Sequence, residues 1–262
     1  MPELPEVETV RRSLAPRVEG RRILDVRFLS PIVADRNPDA LGARMNGRAI
    51  TRLSRIGKHL LFELDRGVLD VHLRMTGKFL IDAPAGAHTR AVIELNDGLL
   101  LFDDVRQFGR MRWIDSLQHL QNVGPDALEL DEPEFRALLE TRRGRIKPLL
   151  LNQAFISGLG NIYVDEALFR ARIHPLAVAM RIGSARAARL HAAIIDVLTE
   201  SLAAGGSSIS DYVDATGARG AFQRQHQVYG RTGEPCVACG TPIRRTVVGQ
   251  RGTHFCPRCQ KA

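Results

Sequence analysis

Cys236-Val237-Ala238-Cys239 and Cys256-Pro257-Arg258-Cys259 stand near the end of the chain, separated by the sixteen residues 240–255. Two CxxC pairs at this spacing form a zinc pattern, because Zn2+ takes four thiolates as a tetrahedron and a full set leaves no open position for catalysis. Cys236, Cys239, Cys256 and Cys259 are all the cysteines the chain has. Two disulfides are the alternative. They are disfavoured because the N-terminus is acidic and lacks the apolar segment of a secretion signal. Between the pairs, Ile243–Val248 and Thr253–Phe255 read as strands around Gly249-Gln250-Arg251-Gly252. The expectation is one structural zinc stapling a β-hairpin with Arg251 at its tip. A rigid hairpin tipped with arginine suits phosphate or groove contact with a nucleic acid.

The charge agrees. The 262 residues carry a net charge of +8 with a pI near 9.9, which points to a polyanionic partner. The excess is uneven: from Gly217 to Ala262 there are eight Lys or Arg and one acid, Glu234. A solvated basic tail is the plain alternative, but glycines, prolines and cysteines give this segment structure. The length suffices for two modest domains with real cores. No stretch is apolar enough to span a membrane. The chain reads as a cytoplasmic monomer.

At the other end, Met1-Pro2-Glu3-Leu4-Pro5-Glu6-Val7-Glu8 starts a helix at once. Val7, Val10 and Leu14 fall on one face. Pro5 suits the first turn, and Glu6 and Glu8 lie near the positive end of the dipole. Removal of Met1 leaves Pro2 as a free secondary amine. An α-amino group titrates near ~7.7–8.0, so part of it is neutral and nucleophilic at neutral pH. Amines form Schiff bases with carbonyl carbons, and Glu3 beside it can move a proton. A well-capped surface helix is the alternative reading of the same residues.

Residues 21–113 read mostly as short strands, at 47–55, 58–64, 68–73, 90–95 and 99–103, punctuated by Asp65-Arg66-Gly67 and Asn96-Asp97-Gly98. Such spacing implies an antiparallel sandwich. A short helix fits 37–45. Residues 116–134 are polar and turn-rich, a hinge. Helices are expected at 134–141, 146–155, 162–170 and 184–203, the last closed by Gly205-Gly206. Ser157-Gly158-Leu159-Gly160-Asn161 interrupts two of them. It is either a plain turn or a place where backbone N–H groups and Asn161 grip a phosphate at a helix N-terminus. Residues 207–230 hold little apolar material and form either a linker or a mobile functional loop. Met75 and Phe108 each stand near a glycine. Such residues belong to a core or serve as wedges between base pairs.

MPELPEVETVRR (1–12), HLRMTG (72–77), DDVRQFG (103–109), GLGNIYVDEALF (158–169), QVYGRTGEPC (227–236) and the four-cysteine segment, taken in that order, resemble the formamidopyrimidine-DNA glycosylase family, which is shared with endonuclease VIII. The likeness covers essentially the whole chain. It implies an α+β fold: an N-terminal antiparallel β-sandwich with flanking helices over 1–115, a hinge over 116–134, a helical helix–two-turn–helix domain over 135–230, and a zinc-finger β-hairpin over 231–262. It implies a bifunctional DNA glycosylase and AP lyase excising oxidised purines from double-stranded DNA held in a basic cleft, with zinc its one cofactor.

The resemblance also assigns roles. Pro2 is the nucleophile and Glu3 the general acid, while Lys58 and Arg251 assist elimination. Met75, Arg106 and Phe108 fill the space left by a flipped nucleotide, with Arg106 facing the partner base. His88, Arg143 and Asn161 contact DNA. The loop at 207–230 closes over the flipped base. Two positions depart from the pattern: Gln107 stands where a basic residue is frequent, and Ala221 where an aromatic is. An endonuclease VIII-type enzyme for oxidised pyrimidines is the near rival, disfavoured by PELPE and the complete Met75, Arg106, Phe108 set. A non-catalytic zinc-ribbon DNA-binding protein is the distant one.

Overall fold

The computed structural model describes residues 2–209 and 211–261. They form two compact units. The first runs up to Asn122 and takes in Ala204–Ala221; the second is Val123–Ala203 together with the residues from Phe222 on.

The first unit opens with α1 (Leu4–Val18) and continues with β1 (Ile23–Phe28) and α2 (Pro38–Met45). Seven strands follow: β2 (Ile50–Ile56), β3 (His59–Leu64), β4 (Val68–His72), β5 (Gly77–Ile81), β6 (Thr89–Leu95), β7 (Leu99–Asp104) and β8 (Arg110–Ile114). They make two four-stranded antiparallel sheets, ordered β1-β6-β7-β5 and β2-β3-β4-β8. Val7, Val10, Leu14 and Val18 of α1 share one buried cluster with Leu60, Phe62, Phe79 and Phe102. Burying a side chain of this size contributes roughly 1.5–3 kcal/mol. Phe79 of one sheet meets Phe62 of the other edge-on at 5.4 Å, which joins the two sheets, and meets Phe102 of its own sheet at 5.1 Å. The sandwich expected from the sequence is present, with Asn37 capping α2 through its side chain.

Residues 204–221, grouped with the helical part on sequence, pack with this first unit for a local reason. Ala215 N donates to Ser13 Oγ at 3.1 Å and Ile81 N to Ala215 O at 3.3 Å, while Ala215 itself is buried in the first unit's core.

The second unit holds α3 (Glu132–Glu140), α4 (Ile146–Leu150), α5 (Asn161–Arg170), α6 (Ser184–Ala203), β9 (Arg244–Val248) and β10 (Arg251–Phe255). Asp131 caps α3, accepting from Glu134 N at 2.8 Å. The helix expected over 146–155 stops at Leu150. Polar side chains capture the backbone beyond it: Asn152 Oδ1 accepts from Ala154 N, and Gln153 Nε2 donates to Leu151 O and Leu159 O. The hairpin is also tighter than expected. Gly249 and Gln250 alone form its turn, with φ of 56° and 60°, the pattern of a two-residue turn whose twist matches its strands. Arg251 is therefore the first residue of β10, paired with Val248, rather than the tip itself.

Candidate active site and nucleic-acid interface

Pro2 and Glu3 are both buried, immediately before α1. Chain ends fray unless something ties them down, and here Glu6 does. Its Oε2 accepts from Glu3 N at 2.8 Å, and its Oε1 accepts from Ser207 N at 2.8 Å. Tyr212 Oη donates to the Glu6 carbonyl at 3.3 Å. A Cβ on Gly206 would stand 2.9 Å from Glu6 Oε1, so the closeness of this strap depends on glycine. The fate of Met1 lies outside the described residues.

Lys58 follows Gly57 and is 5% exposed. It is connected to the same helix through Arg55, whose Nε lies 3.3 Å from Glu8 Oε2 and whose Nη1 donates to Gly57 O at 2.7 Å. Burial pushes the Glu8 carboxyl up, but hydrogen bonds from Arg11 and Arg12 and the charges of Arg11 and Arg55 outweigh it and hold the group at about 2. Nearby, His72 is pushed down to about 3 by burial and by the charges of His59, Arg74 and Lys58. It is a neutral imidazole at physiological pH. Its Nδ1 accepts from Arg74 N at 3.0 Å, so the ring proton sits on Nε2.

The structure brings Met75, Arg106 and Phe108 into one exposed cluster. The Arg106 guanidinium lies 4.6 Å from the Phe108 ring centroid, and its Nη1 contacts Met75 Sδ at 3.2 Å. Met75 is 40% and Phe108 43% exposed, so neither is core. The two loops are joined from below by Asp104. This fully buried carboxylate accepts from Thr76 Oγ1 and from Gly109 N, while Thr76 Oγ1 accepts from Arg106 N at 3.1 Å. Glycine is needed on both sides. A Cβ at Gly77 would stand 2.6 Å from Leu73 O, and one at Gly109 2.7 Å from Phe102 Cζ. His88 is exposed, and its carbonyl accepts from Asp104 N at 2.9 Å, which sets it beside the same hub.

In the second unit, Asn161 opens α5 after Gly160, and its Nδ2 donates to Gly252 O at 2.9 Å. Lys147 Nζ donates to the same carbonyl at 3.1 Å and pairs with Asp165 at 2.6 Å, both side chains fully buried. Asp165 Oδ2 accepts from His254 N at 2.8 Å. Asn161 and the arginine-bearing end of the hairpin are thus brought together, with Arg251 exposed. Glu166 accepts from Gln227, Val228 and Tyr229 N at 2.8, 3.0 and 2.8 Å, and burial raises its pKa against those three bonds. Arg143 is exposed between α3 and α4 and is not gathered with Asn161 by any contact among the described residues.

The four cysteine sulfurs lie within 4.8 Å of one another, with Cys236–Cys259 at 3.9 Å and Cys239–Cys256 at 3.5 Å. Bonds of about 2.3 Å to a tetrahedral zinc put thiolate sulfurs about 3.8 Å apart, so the cluster fits the ion. The four residues hold one structural zinc, which supplies no chemistry to a reaction.

Sequence reasoning missed Glu6 as a strap, Asp104 and Thr76 as a hub, and Lys147 with Asp165 as a brace. Asp104 stood inside a quoted motif, but nothing in Asp103-Asp104 tells which carboxylate turns inward. A lysine on a helix gives no sign that it is buried.

Matches to known proteins agree with this geometry. The formamidopyrimidine-DNA glycosylase N-terminal domain matches residues 1–111, and the formamidopyrimidine-DNA glycosylase H2TH domain matches 123–213. The zinc finger found in FPG and IleRS matches 233–262. The chain belongs to the formamidopyrimidine-DNA glycosylase family. It is 54% identical to the formamidopyrimidine-DNA glycosylase of Solibacter usitatus over 264 residues and 44% identical to that of Geobacillus kaustophilus over 278, each match covering all of both chains. Among solved structures, a complex of a Lactococcus lactis FPG mutant with Fapy-dG-containing DNA matches with a TM-score of 0.93 and 41% identity, covering 100% of both chains. A complex of Lactococcus lactis Fpg with abasic-site DNA matches at 0.92 and 40%, covering 99% of this chain and 100% of that one. No helix among the described residues is long and apolar enough to cross a membrane.

Proposed function

We propose that Pro2, Glu3, Lys58 and Arg251 carry out the reaction of this family member. As a member of the family, the chain is a base-excision-repair DNA glycosylase and AP lyase acting on damaged DNA, with the oxidised-purine reading favoured over the pyrimidine one. The Pro2 nitrogen attacks C1′ of the damaged nucleotide, and the bond to the base breaks. Glu3 gives a proton to the sugar ring oxygen as the ring opens, leaving an iminium between Pro2 and C1′. The positive nitrogen acidifies C2′. Loss of that proton expels the 3′ phosphate by β-elimination, and a second, δ-elimination expels the 5′ phosphate. Water then releases the proline amine.

The observation that carries this reading is the placement of Pro2 and Glu3. Both are buried at a helix start that Glu6 ties down, and Arg55 connects that helix to the turn bearing a buried Lys58. A plain surface helix has no use for such a tether. Met75, Arg106 and Phe108 fill the gap left in the stack, where an exposed cationic and aromatic cluster suits the orphaned base. Asn161, His88 and Arg143 contact the DNA. The zinc thiolates suit a reducing compartment, and the chain works in the cytoplasm on chromosomal DNA.

Product analysis on an end-labelled 8-oxoguanine:cytosine duplex tests the assignment. Arg251→Ala is expected to keep base excision and β-elimination while the δ-product falls about tenfold or more, the scale of a lost charged contact. A full δ-product yield from Arg251→Ala would remove that residue from the mechanism.

A further inference from the structure

Between Arg106 and Phe108 lies a residue that the reaction above does not use. Gln107 has φ 55°, a left-handed backbone that residues with a Cβ adopt only under constraint. The constraint is visible. Ser30 Oγ donates to Gln107 Oε1 at 2.7 Å, and Ser30 is only 4% exposed. Ser30 is itself fixed, since Leu29 N and Ser30 N donate to Arg90 O at 2.8 and 3.3 Å. From the other side, Arg110 Nη1 donates to Gln107 O at 3.1 Å and to Gly109 O at 2.7 Å. The side chain and the carbonyl of Gln107 are therefore both tied to the sandwich, while its two neighbours stand exposed.

We propose that the Ser30–Gln107 hydrogen bond is a clasp that positions Arg106 and Phe108 against the partner base, making Gln107 a specificity-determining positioning residue. This rests on the reading of Met75, Arg106 and Phe108 as the groups that fill the stack. The clasp turns the side-chain oxygen of Gln107, Oε1, toward a buried serine. A basic residue here would serve a phosphate instead. With the clasp released, the left-handed residue relaxes and Arg106, one peptide away, loses its fixed direction. Selectivity for the base it faces falls, and overall affinity for the duplex is preserved.

The test compares binding to duplexes carrying a tetrahydrofuran abasic analogue opposite cytosine or adenine, which needs no turnover. Gln107→Met and Ser30→Ala each remove the hydrogen bond and keep most of the volume. Each is expected to lower the cytosine-over-adenine affinity ratio about fivefold, the scale of one hydrogen bond, and the double variant to lower it no further. Borohydride adduct formation on an ordinary abasic site is expected to persist in all three, with native melting temperatures. An unchanged ratio in both single variants overturns the clasp. So does a change confined to Gln107→Met, or an equal loss of affinity on both duplexes, since each means that Gln107 touches DNA directly. Absence of adduct from the native chain would sink the catalytic reading and leave the binding comparison standing.

Discussion

Buried carboxylates in this protein are placed by what donates to them. Asp104 has a hydroxyl and a backbone N–H, Glu6 has two backbone N–H groups, and Glu166 has three. Glu8 is held instead by cations, through Arg11, Arg12 and Arg55, as Asp165 is by Lys147. The folded pKa of Glu8, near 2, lies below the ordinary 4.5. The stabilisation is therefore fully present above about pH 4.5 and is lost as the pH falls towards about 2. Glu8→Gln should flatten the fall of melting temperature across that window; an unchanged acid limb would show that the pairs with arginine add nothing. At this scale the sequence was legible where chemistry marks a residue by type. Cysteines at zinc spacing could be picked out directly, and the proline after Met1 and the arginine before Gly252 could be nominated for the proposed site. Glu6 and Asp104 could not, because a carboxylate that collects backbone donors looks the same in sequence as one that faces water.

Elements followed their local signals unless side chains competed with the backbone. The reading of α6 over 184–203 agrees with the structure end to end, since an alanine-rich amphipathic period runs unbroken to Gly205-Gly206. In α4 the apolar run suggested ten residues, but Asn152 and Gln153 bond the chain themselves and five remain helical. The hairpin shows the same limit. Its two strands were legible, whereas the two-residue turn depends on Gln250 taking a positive φ. The hairpin is fixed against α4 and α5 by the Gly252 carbonyl, shared by Lys147 and Asn161, and by the His254 N–H donated to Asp165. Lys147→Met leaves Asp165 charged, buried and without its cation. The cost should be about 3–5 kcal/mol in urea unfolding of the second unit. A loss under about 1 kcal/mol would mean that water or His254 takes over the carboxylate.

Across the whole chain, each unit brings its own part of the proposed machinery. The sandwich carries Pro2, Glu3, Lys58 and the Met75–Arg106–Phe108 cluster, and the helical unit carries Asn161 and the zinc hairpin. Both architectures were readable from strand spacing, helix period and cysteine arithmetic. The attachment of 204–221 to the sandwich was not, because Ser13, Glu6 and Ala215 meet only once the chain is folded. The division predicts a selective response to chelation. Zinc removal should abolish amide protection across β9 and β10 while β3 and β4 stay protected, and DNA affinity should fall along with the slope of its salt dependence. Loss of protection throughout the sandwich would show that the metal supports more than the hairpin. The most direct measurement is borohydride trapping on an 8-oxoguanine:cytosine duplex, with Pro2→Gly alongside. The account predicts a covalent protein–DNA adduct from the native chain, joined at residue 2, and none from Pro2→Gly. An undiminished adduct from Pro2→Gly would contradict it and place the nucleophile elsewhere.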